Sequence, residues 1–178
     1  NTPREFDEFI SSLQTFGAVW AACPTGDDGR RHCRLKPRVQ PNGLLLDRFD
    51  FDLLFVYFGH TDEVGHVHGW MSEPYLQAIS QADRCLGVVI DGLKAAARRD
   101  ETVTLVVSDH GGHGRSHGTD LPEDMTIPWI LHGPGVRAGA ALTDPIRVFD
   151  TCPTLARVLG IPHGREWEGR VVHEAFAE

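Results

Sequence analysis

Two apolar runs stand out along the chain. Leu53-Leu54-Phe55-Val56-Tyr57-Phe58 is closed by Gly59, and Thr102-Val103-Thr104-Leu105-Val106-Val107 is closed by Ser108-Asp109. Neither alternates with polar positions, and the second is rich in β-branched residues. Both therefore read as strands covered on both faces, the pattern of a parallel α/β sheet. Between them Leu76, Ile79, Ala82, Leu86, Val89, Ile90 and Leu93 recur at helical spacing and predict one face of a long helix beginning near Ser72. Strand, helix and strand make a β-α-β unit with an expected right-handed crossover. A third strand is predicted at Pro128-Trp129-Ile130-Leu131, stopped by Gly133-Pro134-Gly135. A last helix starts near Asp150, takes Pro153 in its first turn and ends at Gly160. At the other end, Thr2-Pro3-Arg4-Glu5 reads as a capping box ahead of Phe6, Phe9, Ile10 and Leu13, which predicts a short amphipathic helix. Residues 24–43, rich in Pro, Gly and charge, read as a loop-rich excursion. The expected architecture is a single α/β layered domain over residues 1–178.

Composition narrows the function classes. A formal net charge of -8 argues against nucleic acid as an obligatory partner, because phosphate backbones select basic surfaces. It leaves small phosphorylated substrates open, since bound divalent cations invert the local field. No apolar run approaches the roughly 20 residues that span a bilayer. The N-terminus lacks the layout of a signal peptide, but the chain begins at Asn1, so localisation stays open. Cys23, Cys33, Cys85 and Cys152 show no metal-type spacing. Cys23 and Cys33 either close a loop in an oxidising compartment or remain free thiols.

The chemistry-bearing residues gather where the two runs end. Gly59-His60-Thr61-Asp62-Glu63-Val64-Gly65-His66-Val67-His68-Gly69 follows the first. Ser108-Asp109-His110-Gly111-Gly112-His113-Gly114-Arg115-Ser116-His117-Gly118 follows the second. Open α/β sheets bind ligands beyond the carboxyl ends of their strands, so both clusters are expected to face one crevice. Carboxylates and imidazoles among glycines suit a divalent metal, with zinc favoured and manganese or iron satisfied by the same atoms. A lone strand-end histidine is ordinarily a hydrogen-bonded surface residue, and His32, His163 and His173 are read that way. His60, His68 and His113 read more readily as loop histidines than as groups orienting ligands.

Asp62-x-x-x-His66-x-x-Gly69 resembles the Asp-x-x-Gly-His-x-x-Gly segment of the nucleotide pyrophosphatase/phosphodiesterase branch of the alkaline phosphatase superfamily. Ser108-Asp109-His110-Gly111 matches that branch's Ser-Asp-His-Gly. The stretch from His117-Gly118-Thr119-Asp120 through Gly133-Pro134-Gly135 resembles the segment carrying its last metal ligand. Asp150-Thr151-Cys152-Pro153-Thr154-Leu155 resembles the superfamily's closing helix. The resemblance runs in order from about Asp52 to the end of the chain. It implies an alkaline-phosphatase-like α/β/α sandwich with a mostly parallel sheet, and two divalent metals. Asp62, His66 and His117 would hold the first metal, and Asp109 and His110 would supply part of the second. The implied activity is cleavage of phosphodiester or pyrophosphate bonds, in which the metals stabilise a phosphoryl group attacked by a metal-bound Thr or Ser.

Two expected parts are not found. The family's remaining ligand of the second metal is an Asp at the end of the sheet's first strand, with the nucleophile shortly after it. Residues 1–50 offer no buried-type strand ending in Asp and followed by such a nucleophile, and Asp27 and Asp28 lie in a charged, Gly-rich stretch. No catalytic residue is assigned. The chain is expected to be truncated at its N-terminus, to bind by itself one metal near Asp62, His66 and His117, and to hydrolyse phosphoesters poorly or not at all. A sulfatase or phosphosugar mutase of the same superfamily, and a metal-binding module without catalysis, remain alternatives. A serine-hydrolase elbow at Gly114-Arg115-Ser116-His117-Gly118, with Asp150 and His163 downstream, matches in letters. It lacks the strand leading directly in and the helix leading directly out that such an elbow needs.

Overall fold

The computed structural model describes residues 52–177 and, before them, the backbone of Val19–Thr25 and Arg31–Cys33. The helix predicted from Thr2 and the side chains of Cys23 and Cys33 lie outside the described residues. The chain divides into two compact units. The first comprises residues 1–97 with 113–116, and the second residues 98–112 with 117–178.

In the first unit, β1 (Val19–Thr25) pairs antiparallel with β2 (Arg31–Cys33) on one side and with β3 (Leu53–Val56) on the other. The register sets Trp20 against Phe55 and Ala21 against Leu54. Part of the stretch read as loop excursion is therefore strand: its short polar segments carry no apolar period, and pairing supplies what pattern does not. Among the described residues this unit also holds two helices, α1 (His60–His68) and α2 (Glu73–Ala95). Ser72 caps α2 as expected, its hydroxyl accepting the Tyr75 N–H at 3.4 Å, with Pro74 in the first turn. The buried stripe of α2 is Ala78, Cys85, Val89 and Leu93, whereas Leu76 and Ile79 stand 42% and 45% exposed. The apolar positions predicted the helix correctly and its buried face only in part.

In the second unit a 3-10 turn at Arg99–Glu101 leads into β4 (Thr104–Val107), which pairs antiparallel with β5 (Trp129–His132). A single helical turn, α3 (Pro122–Met125), sits between them in sequence, and α4 (Thr151–Val158) follows. The core of this unit is Val172, Ala175 and Phe176, packed by Trp129, Leu131, Val136, Leu142, Ile146 and Val158.

Every strand pairing among the described residues is antiparallel, which corrects the expectation of a mostly parallel sheet for this part of the fold. An unbroken apolar run reports burial and says nothing of strand direction. Nor are β3 and β4 covered on both faces here, since Phe55 is 52% and Val107 36% exposed. No helix of the described residues is long and apolar enough to cross a membrane.

Candidate metal centre

The segment after β3, read from sequence only as a strand-end cluster, is a helix. Gly59 and Gly69 bound α1, Asp62 and Glu63 fall in its first turn, where the helix dipole favours an acidic group, and His66 and His68 fall in its last. Four-residue spacing then sets Asp62 and His66 on one face, with His66 Nε2 3.5 Å from Asp62 Oδ1. The other ring nitrogen, Nδ1, lies 3.1 Å from the carbonyl oxygen of Arg115, in the same unit. A carbonyl only accepts, so Nδ1 carries a proton, and Nε2 is the ring nitrogen turned toward the carboxylate.

Trp70 holds this arrangement. Its backbone N–H donates to the Gly114 carbonyl at 2.8 Å, and its ring meets His66 edge-on with centroids 5.1 Å apart. Gly65 lies beneath it, where a Cβ would stand 2.9 Å from three atoms of the indole. Gly65→Ala is therefore expected to destabilise the fold by about 1–2 kcal/mol in urea unfolding, overpacking outweighing the roughly 1 kcal/mol that alanine gains in a helix. The indole emission should change with it; an unaltered spectrum and a raised urea midpoint would refute the contact. Tyr75, 6.0 Å from the Trp70 ring, has its phenol raised above the ordinary range by burial and then by the Asp62 charge, against a hydrogen bond with Trp70 that acts the other way. It stays protonated beside Asp62 at neutral pH.

The second unit repeats the design with different connectivity. Beyond β4, His110 Nδ1 lies 2.7 Å from the Gly111 carbonyl oxygen, and Nε2 is 3.7 Å from Asp109 Oδ2. Ser108 Oγ donates to the His110 carbonyl at 2.7 Å and fixes the turn. The His117 ring stacks on that of His110, with centroids 3.7 Å apart and planes 14° from parallel. Asp109, His110 and His117 thus come together in this unit, as Asp62 and His66 do in the other.

The donor chemistry fits a divalent cation. In both pairs the carboxylate–imidazole separation is too long for a good hydrogen bond. Two ligands at about 2.0–2.1 Å on a tetrahedral zinc stand about 3.3–3.4 Å apart, close to what both pairs show. In both pairs the far ring nitrogen donates to a backbone carbonyl, the usual way a protein sets the tautomer of a metal-binding histidine.

The remaining histidines are placed more plainly. His60 Nδ1 is 3.9 Å from Glu63, His68 is exposed, and His163 Nε2 sits 3.0 Å from the Gly169 carbonyl oxygen. The serine elbow is not formed. Ser116 and His113 exchange backbone hydrogen bonds across a tight turn at 2.9 Å, and the next helix begins only at Pro122. Both carboxylate oxygens of Asp150 accept backbone N–H groups, from Arg147 and Arg170.

An α/β fold with paired carboxylate–imidazole groups beyond its strands defines a class of protein with a candidate metal site, and comparison with known proteins narrows it. Residues 16–121 match the family model of type I phosphodiesterase / nucleotide pyrophosphatase, and the chain belongs to that family, within the alkaline phosphatase superfamily. Over 130 residues, 70% of this chain, it is 31% identical to a 2,3-bisphosphoglycerate-independent phosphoglycerate mutase of Staphylococcus epidermidis, and 29% identical to the corresponding protein of Staphylococcus aureus. Among solved structures, a phosphonate monoester hydrolase from Silicibacter pomeroyi superposes on 56% of the chain with a TM-score of 0.50 and 27% identity. The chain spans 24% of the length of the mutases and 22% of the hydrolase.

Proposed function

We propose that this chain carries metal-binding elements of a hydrolase that cleaves phosphodiester or pyrophosphate bonds. Asp62, His66 and His117 would hold one divalent ion, and Asp109 and His110 would contribute to a second. The observation that carries this reading is the twice-used arrangement in which a carboxylate faces an imidazole Nε2 whose Nδ1 proton is tied to a backbone carbonyl. One carboxylate and two imidazoles, as Asp62, His66 and His117 offer, are a donor set zinc accepts, and manganese or iron would use the same atoms. Chain connectivity supports the grouping, because Arg115, whose carbonyl receives the His66 proton, precedes His117 by only two residues.

Divalent ions held there would supply charge stabilisation to a phosphoryl group. The residues' own part would be to present carboxylate and imidazole donors whose ring orientation is set by backbone carbonyls. The nucleophile, a Thr or Ser in the resemblance, is not assigned to any residue of this chain. A mutase acting on phosphorylated small molecules is the second reading, favoured by the identity to the staphylococcal phosphoglycerate mutases.

Calorimetric titration of the 178-residue chain with zinc, followed by assays on bis(p-nitrophenyl) phosphate and 3-phosphoglycerate, tests both readings. Saturable zinc binding with negligible turnover is the expected result. Absence of zinc binding would sink the metal assignment, and rapid diester hydrolysis would show that the nucleophile lies within these residues. Isomerisation of 3-phosphoglycerate would favour the mutase.

A further inference from the structure

A carboxylate taken out of water is costly unless hydrogen bonds replace its solvation. Asp124, in the single turn α3, is 2% exposed. Its Oδ2 accepts two hydrogen bonds from one residue, Thr119 N–H at 2.9 Å and Thr119 Oγ1–H at 2.8 Å. The Thr119 hydroxyl oxygen in turn accepts the Leu121 N–H at 3.2 Å, so the segment just after His117 is closed onto α3.

The same helical turn grips the other histidine loop through its backbone. The Asp124 carbonyl accepts the Gly111 N–H at 2.7 Å, and the Glu123 carbonyl accepts the Gly112 N–H at 2.9 Å. The approach is close enough that a Cβ on Gly111 would lie 2.0 Å from the Glu123 carbonyl oxygen, so only glycine permits it. The Gly111 carbonyl, fixed by this contact, is the oxygen that receives the His110 Nδ1 proton. One buried residue therefore ties down the loop that sets the His110 tautomer and, through its side chain, the loop two residues beyond His117. The two rings thus held are the ones that stack.

We propose that Asp124 is a positioning residue that clamps the His110 and His117 loops to one helical turn and so keeps the two imidazoles in register. It acts through Gly111, whose N–H its carbonyl accepts, and through Thr119, whose N–H and hydroxyl its Oδ2 accepts. The consequence for metal affinity rests on the reading that His110 and His117 are ligands.

The test uses the full 178-residue chain with four substitutions: Asp124→Asn, Thr119→Val, Thr119→Ser and, as a control for lost stability elsewhere, Thr154→Val. In the metal-free protein, the His110 and His117 ring-proton resonances should shift in Asp124→Asn and Thr119→Val. They should return to the wild-type positions in Thr119→Ser and stay in place in Thr154→Val. With zinc as the probe, Asp124→Asn and Thr119→Val should weaken binding by about 10-fold or more, the range seen when groups orienting a ligand are removed. The visible spectrum of the cobalt-substituted protein should change in the same two variants. Ring signals that stay put in Thr119→Val, or that move equally in Thr154→Val, overturn the clamp, and Thr119→Val decides the matter if Asp124→Asn does not fold. A wild-type chain that binds no zinc removes the metal reading and leaves the ring signals to judge the clamp alone.

Discussion

Replacing His66 with alanine is expected to weaken zinc binding by the 178-residue chain more than about 100-fold, because losing a ligand should exceed the 10- to 100-fold cost of losing a group that merely orients one. His66 is exposed on α1 and its ring nitrogen bonds the Arg115 carbonyl, so its removal should cost the metal-free fold about 1 kcal/mol. Affinity and stability should therefore separate. Asp62→Asn should show the same separation, since the amide keeps the shape of the side chain and loses the charge a cation needs. The indole of Trp70, 5.1 Å from the His66 ring, provides the readout: its emission should respond to zinc in the wild-type protein and fail to respond in His66→Ala. Zinc affinity retained within threefold in both variants would remove α1 from the site.

How much of this was legible in the sequence depended on what each residue has to do. The strands β3, β4 and β5 and the helices α2 and α4 announced themselves because apolar runs and helical spacing are local consequences of burial. The Ser72 cap and Gly160, with φ of +66° just after α4, marked boundaries for equally local reasons. Strand direction was not legible. Pairing of β3 with β1 joins residues far apart in sequence, and nothing in Leu53–Val56 encodes its partner's orientation. The strand β2 was invisible because three residues, Arg31–Cys33, are too few to show a period.

The candidate ligand side chains were visible as letters before their geometry was. Asp62 and His66 stand four residues apart between Gly59 and Gly69, which is one helical turn, yet the polar character of α1 hid the helix. Its packing rests on a contact no period reveals: an indole from the next segment against Gly65. Asp124 was hidden for the opposite reason. A carboxylate in a proline-led polar stretch reads as surface, and only the structure shows it buried and bonded to Thr119. Residues whose role is to hold other residues leave little trace in composition.

Asp150→Ala should be the most damaging single substitution for the stability of the second unit. The carboxylate is 3% exposed and accepts the Arg147 N–H at 2.9 Å on Oδ2 and the Arg170 N–H at 2.8 Å on Oδ1. Its own carbonyl accepts the Thr154 hydroxyl at 2.7 Å, and that hydroxyl accepts the Val172 N–H at 3.0 Å. This small network sews the segment at 170–172 to the start of α4, and Val172, fully buried, is the residue on which the core of the unit closes. Alanine would strand two N–H groups at about 1–3 kcal/mol each if they stayed buried, and it would also leave a void. Partial relaxation brings the expected loss to about 3–4 kcal/mol, enough to unfold a domain of ordinary stability at moderate urea. Thr154→Val keeps the volume and orphans only the Val172 N–H, so about 1–2 kcal/mol is expected. The pair should not be additive, because both substitutions cut the same tether. A double variant less stable by the full sum, or an Asp150→Ala protein whose urea midpoint matches the wild type, would show that the segment at 170–172 is held by apolar packing alone.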